Sequence, residues 1–279
     1  MGITDYQYLL KQKNANLPYV ISNSYGDHEN TVPEAYAKRV CNMIGMMGMR
    51  GRTILESSGD EGTGAVCRTN VGKTRPEFTP QFPGTCPYVT AIGGTQFTSP
   101  EWAWNASSGG FSNYFKQPSY QKKAVNTYLT KYISSKAMEY YSSNKYANFS
   151  GRGFPDISAH SLYPYYLTVI NGSAVPNGGT SAASPVVAAI MSLLNDALLR
   201  KGKSPLGFVN PLLYGKASST LNDITHGAAV GCAGVDLQTG EKIKGAGIIP
   251  YASWNATVGW DPATGLGTPN FQKMLSMLA

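Results

Sequence analysis

Long apolar runs are missing from this 279-residue chain. The longest, Val186 to Leu194, is interrupted by Ser192 and ends at Asn195-Asp196. That is too short to cross a bilayer and suits a buried helix, so no membrane partner is expected. Charge is also scarce, at 14% Asp, Glu, Lys and Arg, while 31 Gly, 17 Pro and 18 Tyr are present. This balance fits a loop-rich secreted enzyme better than a helical bundle. The formal charge is +7. Outside the loop Arg200-Lys201-Gly202-Lys203, however, the basic residues are scattered and do not interleave with aromatics, which argues against nucleic acid. An attraction to acidic surfaces or substrates stays open. No Cys-x-x-Cys pair and no His at zinc spacing accompany the four Cys, at 41, 67, 86 and 232. An even count without metal spacing favours two disulfides, and the sequence leaves three pairings open. A signal-peptide pattern is absent: Met1-Gly2-Ile3-Thr4-Asp5 reads as a start inside a longer parent chain.

What is present points to secretion. Four glycosylation sequons, at Asn105, Asn148, Asn171 and Asn255, join the even Cys count. The chain is organised around Gly178-Gly179-Thr180-Ser181-Ala182-Ala183-Ser184-Pro185, with a helical pattern directly behind it. A Ser at a helix start faces unpaired N–H groups and the positive end of the dipole. Its hydroxyl is placed to attack a carbonyl and leave an oxyanion beside backbone donors. Taken alone, the same Ser is an ordinary N-cap.

Taken in order, residues 5–12 have helical spacing, and Leu17 to Asp27 reads as a short buried strand opening into a loop. Pro33 to Met47 is a helix with Gly48 as its stop. Arg52 to Ser57 is a second strand, followed by the loop Ser58-Gly59-Asp60-Glu61-Gly62. This strand, helix and strand suggest a βαβ unit whose loops at the strand C-termini form a site. In that loop Asp60 is either a turn residue or an acid held protonated to donate a hydrogen bond to an oxyanion. Gln81 to Thr95 carries another strand and Lys122 to Lys136 a helix. Ala137 to Ser150 reads as a polar, Tyr-rich surface excursion, and Asp156 as a buried hydrogen-bonding anchor. The isolated His28, His160 and His226 are weak candidates for a base to Ser181.

Four segments occur in order: Val20-Ile21-Ser22-Asn23-Ser24-Tyr25-Gly26-Asp27, Ser57-Ser58-Gly59-Asp60, Gly179-Thr180-Ser181, and Gly259-Trp260-Asp261-Pro262-Ala263-Thr264-Gly265-Leu266-Gly267-Thr268-Pro269-Asn270-Phe271. Together they resemble the sedolisin family of serine-carboxyl peptidases, most of all its fungal tripeptidyl-peptidase branch, over nearly the whole chain. The resemblance implies a single catalytic domain over 1–279, an α/β fold with a subtilisin-like doubly wound parallel sheet and helices on both faces. It implies Ser181 as nucleophile and Asp60 as oxyanion acid. It assigns Ser24 and Gly26 to a substrate-backbone ladder and Ser57, Ser58 and Gly59 to the primary specificity wall. The substrate would be a peptide or protein, cleaved at acidic pH.

One departure matters most. The family activates its Ser with a Glu, itself paired with an Asp, on a helix in the N-terminal part of the catalytic domain. No residue of this chain matches that pair: Asp5 falls on a later helix. The chain is therefore expected to be N-terminally truncated relative to the family domain, with the base supplied by a separate segment. The alternative is a catalytically inactive, peptide-binding relative. Within the chain, Glu61 is the substitute base to consider first.

The resemblance also implies a Ca²⁺ site, with side chains of Asp223 and Asp261 and main-chain oxygens of Ile224, Thr257 and Gly259. An oxygen-only set of this kind suits calcium rather than zinc. Finally, the family pattern pairs Cys67 with Cys232, leaving Cys41 for Cys86.

Overall fold

The computed structural model describes residues 2–70 and 72–278. Its centre is a parallel sheet formed by β1 (Val20–Asn23), β2 (Thr53–Ser57), β3 (Thr90–Gln96) and, further along the chain, Ile157–His160. A two-residue strand, β4 (Trp102–Ala103), pairs antiparallel with the end of β3, so Ile157–His160 is β5. β1 pairs with β2 from Val20↔Thr53 to Asn23↔Glu56, β2 with β3 from Leu55↔Thr90 to Ser57↔Ile92, and β3 with β5 from Ile92↔Ile157 to Thr95↔His160. Among the described residues β1 is thus an edge, paired on one side only.

Side chains alternate across a strand, so neighbouring residues serve opposite layers. On β2, Ile54 joins a core built from α1 (Ile3–Lys11) and α2 (Glu34–Met49), with Tyr6, Val40, Ile44 and Met47. Leu55 joins the other core, against α3 (Thr180–Arg200) and α4 (Phe271–Leu278), with Val187, Met191, Leu194 and Met274. Helices therefore cover both faces, as the resemblance implies. α3 is 21 residues long and apolar enough to match a membrane span by length and composition, which the expected short run did not show. Its Val187, Met191 and Leu194 are nevertheless fully buried against the sheet. Each contributes about 1.5–3 kcal/mol of burial.

Two local expectations change. α2 runs past Gly48 to Met49, because Gly48 is an interior helical residue. The helix expected over 122–136 instead breaks: Lys122–Thr127 leads into a wider turn over Tyr128–Tyr132, and a separate helix spans Ser135–Ser143. Ser134 starts that second helix by accepting the Ala137 N–H at 3.1 Å. Tyr141 on it is buried among Phe78 and Trp254, so 137–150 is partly core rather than surface. Ahead of α3, β6 (Tyr166–Ile170) and β7 (Ser173–Asn177) form an antiparallel hairpin. Its Asn171-Gly172 turn has positive φ at both positions (50° and 80°), a geometry this dipeptide favours.

Both disulfides form as the family pattern pairs them, Cys41–Cys86 and Cys67–Cys232, with Cα separations of 5.5 and 5.3 Å. The second ties the loop after Asp60 to the segment behind Asp223.

Candidate active site

Ser181 is the second residue of α3 and is exposed. Its Oγ donates to the Ser24 carbonyl at 3.4 Å, and Ser24 Oγ donates to the Ser181 carbonyl at 3.3 Å. This exchange has a cause in the sequence. Pro185, four residues on, has no N–H to close the helical bond to Ser181 O, so that carbonyl is left for Ser24. One turn deeper, the Ser22 and Ser184 hydroxyls meet at 2.9 Å. The β1 exit is thereby held to the start of α3.

Asp60 faces this helix start. Its Oδ1 accepts both the Thr180 N–H at 2.8 Å and the Thr180 hydroxyl at 2.7 Å, while the Gly59 N–H donates to Thr180 Oγ1 at 3.2 Å. Oδ2 has no partner among the described residues. Gly179 makes room for it: φ is +102°, and a Cβ there would lie 2.7 Å from Asp60 Oδ2. Thr180 thus positions Asp60, a role that sequence reading missed. Its only trace in the sequence is its place between Gly179 and Ser181.

Ser181, Thr180, Asp60, Gly59, Ser57, Ser24 and Gly26 line one cleft of about 300 Å³. Gly26 allows a close crossing there, since a Cβ would sit 2.7 Å from the Phe82 carbonyl. Ser58 does not join them. It is fully buried, its N–H bonds the Ile92 carbonyl at 2.8 Å, and it is not among the residues that line the cleft.

The substitute bases do not reach the nucleophile. Glu61 lines the cleft, yet its Oε2 is held by His28 Nε2 at 3.1 Å and by Gln81 Nε2 at 3.0 Å. Burial pushes its pKa up, and His28 and Gln81 offset part of that rise. His160 bonds the Pro164 carbonyl and His226 stacks on Trp102. Asp5 accepts the Gly2 N–H at 2.8 Å and caps its own helix. Asp156 is the buried anchor expected: it pairs with the equally buried Arg152 at 2.6 Å and accepts from Ala91 N and Tyr214 Oη. Sequence reading also missed one wall of the cleft, which Asp236-Leu237-Gln238-Thr239 lines. Asp236 Oδ1 accepts from Gln238 N, Thr239 N and Thr239 Oγ1. An Asp starting a turn that ends in Gly240 was the available signal.

The residues assigned to calcium come from two segments, Asp223-Ile224 and Thr257 to Asp261, joined by a hydrogen bond. Asp223 Oδ2 accepts the Gly259 N–H and Asp261 Oδ2 the Thr257 N–H, each at 2.9 Å. Asp261 is fully buried with no cationic partner among the described residues. Its burial pushes the pKa up to about 7 against hydrogen bonds from four donors, the Thr257, Ala263 and Thr264 N–H groups and the Thr264 hydroxyl. Thr257 Oγ1 is buried with no partner. Among the described residues no group of three or more His, Cys, Asp or Glu gathers. The set is therefore two carboxylates plus loop oxygens, and such donors fit a hard cation that would offset the buried charge.

A parallel sheet with a Ser at a helix N-terminus, opposite a carboxyl held by the residue before it, defines the peptidase class of α/β fold. The sequence pattern of the subtilase family matches residues 2–204, and the chain belongs to that family of serine peptidases. It is 60% identical over 273 residues to tripeptidyl-peptidase sed4 of Aspergillus fumigatus, covering 98% of this chain and 46% of that protein. It is 45% identical to tripeptidyl-peptidase SED2 of Arthroderma otae, covering 98% of this chain and 44% of that one. The chain therefore spans a little under half the length of these relatives. In fold it is similar to Pseudomonas sedolisin, a serine-carboxyl proteinase solved with pseudo-iodotyrostatin. The TM-score is 0.66 at 21% identity, covering 95% of this chain and 66% of that one.

Proposed function

We propose that this chain carries the nucleophile and oxyanion acid of a secreted serine-carboxyl peptidase that hydrolyses peptide bonds at acidic pH. The observation that carries it is the pairing of Ser181 with Asp60 across one cleft, with Thr180 holding the carboxyl by Oδ1. Ser181 Oγ passes its proton to the base and attacks the scissile carbonyl. The C–N bond breaks as the amine leaves with that proton, and water hydrolyses the resulting acyl-enzyme to release the acid and restore Ser181. Asp60, protonated on Oδ2 at acidic pH, donates to the developing oxyanion. The relatives are named tripeptidyl-peptidases, which favours release of tripeptides from free N-termini.

The general base comes from a Glu and Asp on a segment outside this sequence. Two surfaces support that reading: the free edge of β1, and a groove of about 460 Å³ beside Ser181, lined by Ala182, Pro185, Val186 and Ala189 of α3. Calcium would be held by the side chains of Asp223 and Asp261 with main-chain oxygens of Ile224, Thr257 and Gly259, and would fasten these two segments together. A second reading, peptide binding without turnover, is favoured by one observation: no base within the described residues contacts Ser181 Oγ.

Hydrolysis of a mixed peptide library from about pH 3 to 8, a range spanning carboxyl and His titration, separates the two. Cleavage by the chain, or by the chain with the longer relatives' N-terminal segment added, that disappears in Ser181→Ala supports the peptidase. Equal silence from both proteins under both conditions leaves the binding reading.

A further inference from the structure

The four sequons differ in what the fold does with their Asn. Asn148 spends its side chain internally: Nδ2 donates to the Ser112 carbonyl at 2.9 Å and Oδ1 accepts the Ser150 hydroxyl at 2.7 Å. Asn105, Asn171 and Asn255 are exposed, and their side chains make no hydrogen bond among the described residues. Asn171 stands at the tip of the β6–β7 hairpin, where a Cβ added to its neighbour Gly172 would meet nothing within 4 Å. Asn105 opens beside Asp60. Asn255 ends the strand Ser253–Asn255 and lines a second groove, of about 430 Å³.

That groove is built from tyrosines. Tyr128, Tyr132, Tyr140, Tyr141 and Tyr251 all line it, and Lys136 is the one charged side chain among the lining residues. The wide turn over Tyr128–Tyr132 and the helix Ser135–Ser143 supply four of the five rings. Tyr251 arrives with the segment that leads to Asn255. Tyr141 Oη pins this segment, donating to the Tyr251 carbonyl at 3.1 Å and accepting the Ser253 N–H at 3.3 Å. Tyr251 itself has φ of +59°, a strained setting for a bulky residue, and is 94% exposed. Its ring has no ring partner among the described residues. Backbone strain of this kind collects at ligand clamps and other functional positions. A tyrosine ring offers an apolar face and a polar tip. A pyranose offers the complement, a C–H face with hydroxyls around its rim.

We infer that Asn255 carries an N-linked glycan whose innermost sugars lie in the tyrosine groove, against the exposed rings of Tyr132 and Tyr251. The inference rests on the reading of the chain as secreted, and not on the cleft beside Ser181. Attachment precedes folding, with a lipid-pyrophosphate oligosaccharide as donor. The bond from sugar C1 to the pyrophosphate oxygen breaks, C1 bonds to Asn255 Nδ2, that nitrogen loses one proton, and the lipid pyrophosphate leaves. As the chain folds, the attached sugar fills the groove and joins residues 128–141 to residues 251–255. A glycan on Asn171, by contrast, stands in solvent.

The full chain is secreted from a eukaryotic host that N-glycosylates, and its glycopeptides are mapped by mass spectrometry. A peptide-N-glycosidase then acts on the native protein, and release of sugar from Asn255 is timed against release from Asn171. We expect sugar on both and release from Asn255 slower by about tenfold, the protection that about 1.4 kcal/mol of ring contact gives. Nuclear Overhauser contacts between the innermost sugar and the Tyr132 or Tyr251 ring report the packing directly. Tyr132→Ala and Tyr251→Ala each remove an exposed ring and should bring the two release rates together. Asn255→Gln should lower Tm by about 2–4 °C in the glycosylated protein. Ser173→Ala, which removes the sequon of Asn171, should leave Tm unmoved. Made without sugar in a bacterial host, Asn255→Gln and the parent should melt alike, because the Asn255 amide has no partner in the fold. Asn255 left bare in a chain modified at Asn171, or equal release from both sites without sugar–ring contacts, overturns the inference and leaves secretion standing. Sugar at none of the four sequons overturns it together with the secretory reading. Either result leaves the chemistry of Ser181 to its own test.

Discussion

Thr180 is the residue on which the proposed chemistry depends most after Ser181 and Asp60. Its hydroxyl both donates to Asp60 Oδ1 and accepts the Gly59 N–H. Thr180→Val keeps the shape and removes both bonds. In a protein that turns over, we expect kcat to fall by about ten- to a hundredfold with KM little changed, because the lost alignment acts on the transition state. An unchanged kcat would sink the positioning role. Glu56 gives a prediction that needs no activity. It is fully buried on β2, with Asn23 donating to Oε2 at 2.5 Å and Oε1 unpartnered, and burial raises its pKa well above the ordinary value. The folded state therefore binds this proton more tightly than the unfolded chain. Stability falls as pH rises from the unfolded carboxyl pKa of about 4.3 towards the folded value, and the loss is complete above it. Glu56→Gln should flatten that fall and be the more stable protein at neutral pH. Denaturant titrations of both proteins at a series of pH values check it, and parallel curves would refute it.

At the scale of elements, the site is a meeting of separately held loops. The β1 exit is tied to α3 by serines, the Asp60 loop to α3 by Thr180, and the Asp60 loop to the segment after Asp223 by Cys67–Cys232. That disulfide joins residues 165 apart in sequence. By loop entropy it contributes about 5 kcal/mol. Replacing both cysteines by serine should lower the denaturation midpoint accordingly and raise hydrogen exchange first in residues 60–66 and 228–234. Uniform loss of protection across the molecule would show instead that the bond acts on the whole fold. The helix over Ser135–Ser143 depends on a smaller contact. Ser134→Ala removes its cap and should cost about 1 kcal/mol, read from chemical denaturation.

At the scale of the molecule, the proposed calcium would couple two C-terminal segments to global stability. Held between Asp223 and Asp261, metal at a hundred times its dissociation constant would add about 2.7 kcal/mol. Chelation should therefore lower Tm by several degrees in the parent chain and leave an Asp223→Asn, Asp261→Asn double variant unmoved. Equal behaviour of the two proteins would remove the site. Much of this was legible in the chain itself. Ser181, Asp60 and the alternation of strands and helices stand in contiguous strings, because a helix start or a strand exit needs only neighbouring residues to define it. The disulfide pairing needed more than a Cys count, and family resemblance supplied it. The break at 128–134 was hidden because periodicity does not register a local widening of the helix. Burial of Ser58 beside an exposed cleft, the capture of Glu61 by His28 and Gln81, and the convergence of Asp27, Glu61 and Asp236 had no signature either. These groups lie up to 209 positions apart (27 to 236). The sequence alone determined which residues start the helix and line the strands, since those follow from spacing and local backbone chemistry, while the acid role proposed for Asp60 came from the family resemblance. Only the tertiary structure decided which carboxylates share one cleft and which oxygens they leave free, because that depends on how distant loops pack.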